Sequence, residues 1–171
     1  MALRDHFKNP QVIERVQQLT PEQLKALIKR FPKDEQAAVT EILGELRTRR
    51  IRAKAHDDFM EFVHAVWPTF IHGRHHERMA RAFEEVANGE VKRLIINMPP
   101  RHTKSEFASY LLPAWFLGKF PHKKVIQTSH TAELATGFGR KVRNLVDSDT
   151  YRSIFPQIEL QTDSKAAGRW N

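Results

Sequence analysis

The stretch Arg93–Tyr110 reads RLIINMPPRHTKSEFASY. An apolar run, Leu94-Ile95-Ile96, leads into Asn97-Met98, then two prolines, then Arg101-His102-Thr103, then Lys104-Ser105. Its pattern predicts a strand, a short loop and a helix. The Walker A pattern, G-x-x-x-x-G-K-[ST], is half met. Lys104-Ser105 is present, and the two glycine positions hold Met98 and Thr103. As a bare pattern this is weak, because Lys-Ser dipeptides are common. Its flanks make it a candidate phosphate site: a helix N-terminus offers unpaired N–H groups and the positive end of a dipole.

On that reading, residues Pro100, Arg101, His102, Thr103, Lys104 and Ser105 cradle the phosphates of ATP. Lys104 reaches the β and γ phosphates, and the Ser105 hydroxyl ligates Mg²⁺. Pro99-Pro100 fixes φ where other loops use glycine. Arg101 is a candidate to stabilise charge on the transferred phosphoryl group from within the same chain; the alternative is a surface cation.

Downstream, Phe107, Tyr110, Leu111, Leu112, Trp115, Phe116 and Leu117 predict a buried helix. Pro113 cannot donate to the Ser109 carbonyl and is expected to kink it. Lys124-Val125-Ile126-Gln127-Thr128 reads as a second strand, which completes a βαβ unit with a right-handed crossover. Thr131 then caps a helix with Leu134, Phe138, Val142 and Leu145 facing inward. The expected fold class is α/β: a P-loop NTPase domain with a parallel sheet and flanking helices, over residues 55 to 171, preceded by a helical N-terminal arm.

The arm, residues 1 to 54, carries helix signals. Asn9-Pro10 is an N-cap followed by a first-turn proline, and Val12, Ile13, Val16 and Leu19 follow at helical spacing. Thr20 with Gln23 forms a capping-box pattern ahead of Leu24, Leu27, Ile28 and Phe31, and Pro32 stops that helix. A third helix begins near Asp34 with Val39, Ile42, Leu43 and Leu46 inward. RTRRIRAK, residues 47 to 54, reads as a basic linker. It is either a phosphate- or subunit-contacting segment or the solvated end of that helix. Between arm and loop, Asp57-Asp58 reads as a helix start more cheaply than as a catalytic pair. His72, His75 and His76 invite zinc, but no ligand spacing on one helical face supports it.

A formal net charge of +8 and an isoelectric point near 10.0 favour polyanionic partners, with DNA or RNA the leading candidates and a plain basic surface as the alternative. The absence of cysteine excludes disulfides and thiolate metal sites. No run approaches the roughly 18 apolar residues of a membrane span, and MALRDHFKNP lacks the apolar core of a signal peptide. An apolar strand ending in Asp-Glu, which a P-loop ATPase needs for Mg²⁺ and the attacking water, is not found. After Phe155 only Ile158 to Leu160 has strand character, and Gly168-Arg169-Trp170-Asn171 adds none. The chain therefore reads as the N-terminal portion of a longer ATPase, with weak nucleotide binding and negligible turnover by itself.

Four segments carry a resemblance: FVHAVWPTFIHGRHHERMARAFEEVANGE, RLIINMPPRHTKSEFASYLLPAWFLGKFP, KVIQTSH and FGRKVRNLV. From about Asp58 to Asn171 the chain resembles the large terminase subunit of tailed bacteriophages, the motor ATPase of viral genome packaging. That resemblance implies ATP-driven translocation of double-stranded DNA into a prohead, with a nuclease domain elsewhere in the full protein. It implies a ring on the portal protein, contact with the small terminase subunit, and a place in the host cytoplasm and transiently on the prohead. It also implies that the segment around Phe70 to His76 encloses the adenine, with His75 and His76 on that side. Arg140 and Arg143 become candidates for an arginine reaching a neighbouring subunit's ATP. A helicase-type ATPase or a partner-docking fragment are the alternatives.

Overall fold

A computed structural model of the chain describes Phe7 and residues 9 to 161. The first residues of MALRDHFKNP, other than Phe7, Asn9 and Pro10, and the stretch from Thr162 through Gly168-Arg169-Trp170-Asn171 lie outside the described residues. The chain divides into two compact units, Met1–Ile51 and Arg52–Asn171.

In the first unit, α1 (Pro10–Gln17) is capped by Asn9, whose side chain accepts from Gln11 N–H at 3.0 Å. Next, α2 (Pro21–Ile28) opens on a full capping box: Gln23 N–H donates to Thr20 Oγ1 and Thr20 N–H to Gln23 Oε1. The third helix, α3 (Gln36–Asp57), begins here and continues past the division between units. Phe7, Val16, Val39, Leu43 and Leu46 are buried in one cluster, with Leu24, Leu27 and Phe31 against it. The apolar faces of two short helices and of the first part of α3 thus pack together in one cluster. RTRRIRAK is not a linker between elements but part of α3. Its residues are all good helix formers or tolerated ones, with no glycine or proline to stop the helix.

The second unit contains the rest. α4 (Phe59–Val66) is capped by Asp58, which accepts from Glu61 N–H at 2.8 Å, while Glu84 accepts from Phe59 N–H at 2.8 Å. Asp57 is the last residue of α3 and pairs with His56. α5 (Arg74–Ala87) ends at Asn88, and Gly89 follows with φ 82°, the left-handed stop that Asn88-Gly89 predicts. The segment after the loop is continuous helix in three parts: α6 (Lys104–Glu106), a π-helical turn (Phe107–Leu111) and α7 (Leu112–Lys119). α8 (Ala132–Val146) is capped by Thr131, and α9 (Asp149–Ile154) by Ser148. The sequence reading placed no helix at α9.

The expected parallel sheet is not formed: no strand occurs among the described residues. The fold class is helical there, and the α/β assignment is corrected. Residues 93 to 98 and 123 to 128 are non-helical, yet they have no ladder. The physical reason lies in what each run faces. Ile96 and Met98 rest on the core, but Ile95 is 84% exposed and Ile126 90% exposed. An apolar run becomes a strand only when a neighbour takes its N–H and C=O groups, and that pairing is non-local. Aromatics on the helices, or directly after one, build the core instead. Phe59, Phe62, Phe83, Phe107, Trp115, Tyr151 and Phe155 are all buried in one cluster.

Pro113 stands near the start of α7, directly after a π turn. The turn before it opens to the π form, with Leu112 N–H reaching Phe107 O. The Ser109 carbonyl, which Pro113 cannot serve, accepts from Gln127 Nε2 at 3.0 Å. At the other end of α7, Gly118 meets the ring of Phe155: a Cβ built there would lie 2.5 Å from Phe155 Cδ2. That ring is itself buried against Phe62 and Tyr151, at 6.0 and 5.0 Å between centroids. Gly118→Ala gains about 1 kcal/mol of helix propensity and loses about 1–3 kcal/mol to overpacking. A net loss is expected in urea unfolding, and an unchanged or raised midpoint would show that the ring can move aside.

Candidate functional site: the loop from Pro99 to Ser105

Pro99 and Pro100 are exposed, and the chain turns directly after them. Arg101 has φ 65° and Thr103 has φ 57°, ψ 8°. These are the non-glycine residues with positive φ among those described. The left-handed region costs an L-residue about 1–2 kcal/mol, and a β-branched side chain is a clear outlier there. Such strain persists only where surrounding contacts hold it, and it clusters at functional loops. Thr103 occupies the second glycine position of the Walker spacing. The backbone takes the conformation that glycine would supply, with a threonine in place. Met98, at the first glycine position, has ordinary φ and rests against the core.

What holds Thr103 is a chain of three hydrogen bonds. Gly73 N–H donates to His76 Nδ1 at 3.0 Å. A ring nitrogen that accepts carries no proton, so the proton of the neutral imidazole sits on Nε2. His76 Nε2–H therefore donates to Thr103 Oγ1 at 2.6 Å, and Thr103 Oγ1–H donates onward to the His102 carbonyl at 2.7 Å. His76 is buried at 4% exposure, ringed by Phe70 at 4.6 Å and Phe107 at 5.0 Å between centroids. Burial, and then the neighbouring His75, His72 and His102, hold its pKa down at about 4 against an ordinary 6.5. The neutral form that the hydrogen bonds require is the form that the surroundings favour.

The structure places the other sequence-derived residues as follows. Lys104 opens the helix and is half-buried; Ser105 follows it and is exposed. Arg101 and His102 are exposed, and His102 Nδ1 donates to the Pro100 carbonyl at 2.9 Å. His75 is exposed and lies on His76, 3.7 Å between ring centroids, and 5.8 Å from His102. His76, given to the adenine side by the resemblance, is buried and hydrogen-bonded to Thr103 of the loop. Arg140 is exposed on α8, and Arg143 is half-buried and donates to Asn144 Oδ1 at 3.2 Å. Lys141 of α8 is tied to the loop helix. Its Nζ sits 2.8 Å from Glu106 Oε1 and over the rings of Phe138 and Tyr110.

Sequence reasoning missed two of these roles. The His76–Thr103 contact had a legible half: His76 stands three residues after Gly73, the capping-box interval, with imidazole where Glu or Gln is usual. Nothing in the sequence marked Lys141, whose partner is 35 positions away. Among the described residues no group of His, Asp or Glu could hold a metal ion. No helix among them is long and apolar enough to cross a membrane. An open groove of about 830 Å³ lies elsewhere, lined by Pro113, Leu117, Val142, Val146, Ile158 and Leu160 among others, and none of residues 99 to 105 lines it. It belongs to the unpaired run 121 to 127 and does not bear on the loop.

Compared with protein-family models, with curated proteins and with solved structures, the chain has no match.

Proposed function

We propose that residues 99 to 105 bind the phosphates of ATP as its Mg²⁺ complex, and that the chain serves a DNA-packaging motor ATPase of the large terminase type. The observation that carries the phosphate reading is Thr103: a left-handed residue at a glycine position, directly before a Lys-Ser pair that opens a helix. The donor set fits a polyphosphate. Lys104 supplies the cation and Arg101 a second one. The amides at the start of the helix lack intrahelical acceptors. Glu106, the one acid in the stretch 99 to 106, is neutralised by Lys141 and does not oppose an anion. The Ser105 hydroxyl is the group that would reach the Mg²⁺, which in turn neutralises phosphate charge. The excess positive charge of the chain favours a polyanionic partner, and the resemblance makes it double-stranded DNA and adds the portal and the small terminase subunit. The phosphate contacts proposed come from residues 99 to 105 alone.

Binding of Mg-ATP by the wild-type chain, followed calorimetrically, is the test. A charged hydrogen bond to phosphate is worth about 1.5–3 kcal/mol, so Lys104→Ala is expected to weaken binding by about 10–100-fold. Absence of binding by the wild type, or equal binding by the variant, overturns the proposal. Turnover is expected to be negligible, because the sequence holds no Asp-Glu pair after an apolar run to orient water. Hydrolysis at ordinary ATPase rates would show an acid in that role that the sequence pattern does not reveal.

A further inference from the structure

We propose that His76 is a positioning residue for the loop: its neutral imidazole pins Thr103 in the left-handed conformation and so lets a threonine stand where a phosphate loop uses glycine. The pinning stands on the hydrogen-bond chain alone, and its consequence for phosphate binding rests on the function proposed above. Three features support it. The direction of every bond is forced from one fixed donor, Gly73 N–H, through Nδ1 and Nε2–H to Thr103 Oγ1 and the His102 carbonyl. The imidazole is locked in place by Phe70 and Phe107, so it cannot swing away to another partner. And Thr103 makes no side-chain cap to its own helix: its backbone is left-handed, not the extended form of a capping residue, and its hydroxyl is turned to His76 and His102. A threonine at a helix start ordinarily turns its oxygen to the N–H two or three residues on. Here that oxygen is withdrawn, which leaves the first amides of the helix available to an anion.

Glycine at position 103 would need no such support, since it occupies the left-handed region freely. That difference supplies the test, a double-mutant cycle on the full chain with Mg-ATP as the probe. His76→Phe keeps an aromatic ring between Phe70 and Phe107 but cannot hydrogen-bond. It is expected to weaken Mg-ATP binding at least fivefold when residue 103 is threonine, and less than twofold in the Thr103→Gly background. An equal loss in both backgrounds would mean that His76 acts on the core in general and would overturn the proposal. The imidazole nitrogens of His76 in the wild-type protein, observed by NMR, give a second reading that needs neither nucleotide nor variant. A protonated Nε2 and a bare Nδ1 at pH 7 are expected. The opposite tautomer, or a ring exchanging between the two, overturns the pinning even if Mg-ATP binds. The expected tautomer in a wild-type chain that binds no Mg-ATP leaves the pinning standing and overturns both its consequence for phosphate and the proposed function.

Discussion

Phe59→Ala is expected to lower the unfolding free energy of the second unit by about 3–5 kcal/mol. Phe59 is fully buried and is the ring around which that core is arranged. Phe83, Phe107 and Trp115 all meet it edge to face, at 5.4, 5.7 and 5.5 Å between centroids. These three rings come from the helix before the loop, the π turn after it, and α7. Removing Phe59 takes the common partner from all three, and none of them can collapse into the space without leaving the others. Whole domains have only about 5–15 kcal/mol of stability, so the variant should lose a large share of it. Trp67, Trp115 and Trp170 all fall after Ile51, so tryptophan fluorescence in urea reports the second unit. A loss below about 1 kcal/mol would mean that the site repacks. Phe59→Leu should lie between the variant and the wild type.

Acid should weaken the second unit through His76 by a comparable amount. Above pH 6.5 the imidazole is neutral in both folded and unfolded chains and contributes no pH dependence. Between about pH 6.5 and about 4 the unfolded chain takes up a proton that the folded chain refuses. Stability therefore falls as pH drops through that window, by on the order of 3 kcal/mol in total. Below about pH 4 the folded chain also protonates, and Nδ1 can no longer accept from Gly73 N–H. The expected result is a urea midpoint that declines from pH 7 to pH 4.5 in the wild type and declines less in His76→Phe. Carboxylates that titrate in the same range appear in both proteins, so the difference isolates the histidine. Parallel curves would show that His76 is as easily protonated folded as unfolded.

Local signals in the sequence were legible wherever the physics was local. Asn9, Thr20, Asp58 and Thr131 each cap a helix with the side-chain acceptor that their type predicts. Gly89 takes the left-handed angle, and Pro113 disturbs the helix at the carbonyl it cannot serve. The sheet was not legible, because Leu94-Ile95-Ile96 and Val125-Ile126 carry the composition of strands and nothing about their partners. For RTRRIRAK the sequence left a basic linker and the solvated end of the third helix both open, and the helix is what forms, since no residue in it breaks one. At the loop, Lys104 and Ser105 stood out by type. The neighbour that shapes the loop did not, since His76 lies 27 positions from Thr103 and stands beside another histidine, His75.

The π turn from Phe107 to Leu111 sets the azimuth of everything ahead of it. An α-helix advances about 100° per residue, and a π turn accommodates one residue more than α-helical hydrogen bonding would. The side of the helix that Thr103 occupies, relative to Trp115, therefore depends on that extra residue. Wound as uninterrupted α-helix, the same residues would turn the loop by about 100°, away from His76, whereas a single deletion between Phe107 and Leu111 would remove the residue that the π turn absorbs and keep the loop in phase with Trp115. Helical phase, and not only the chemistry of its side chains, decides which way the loop from Pro99 to Ser105 is aimed.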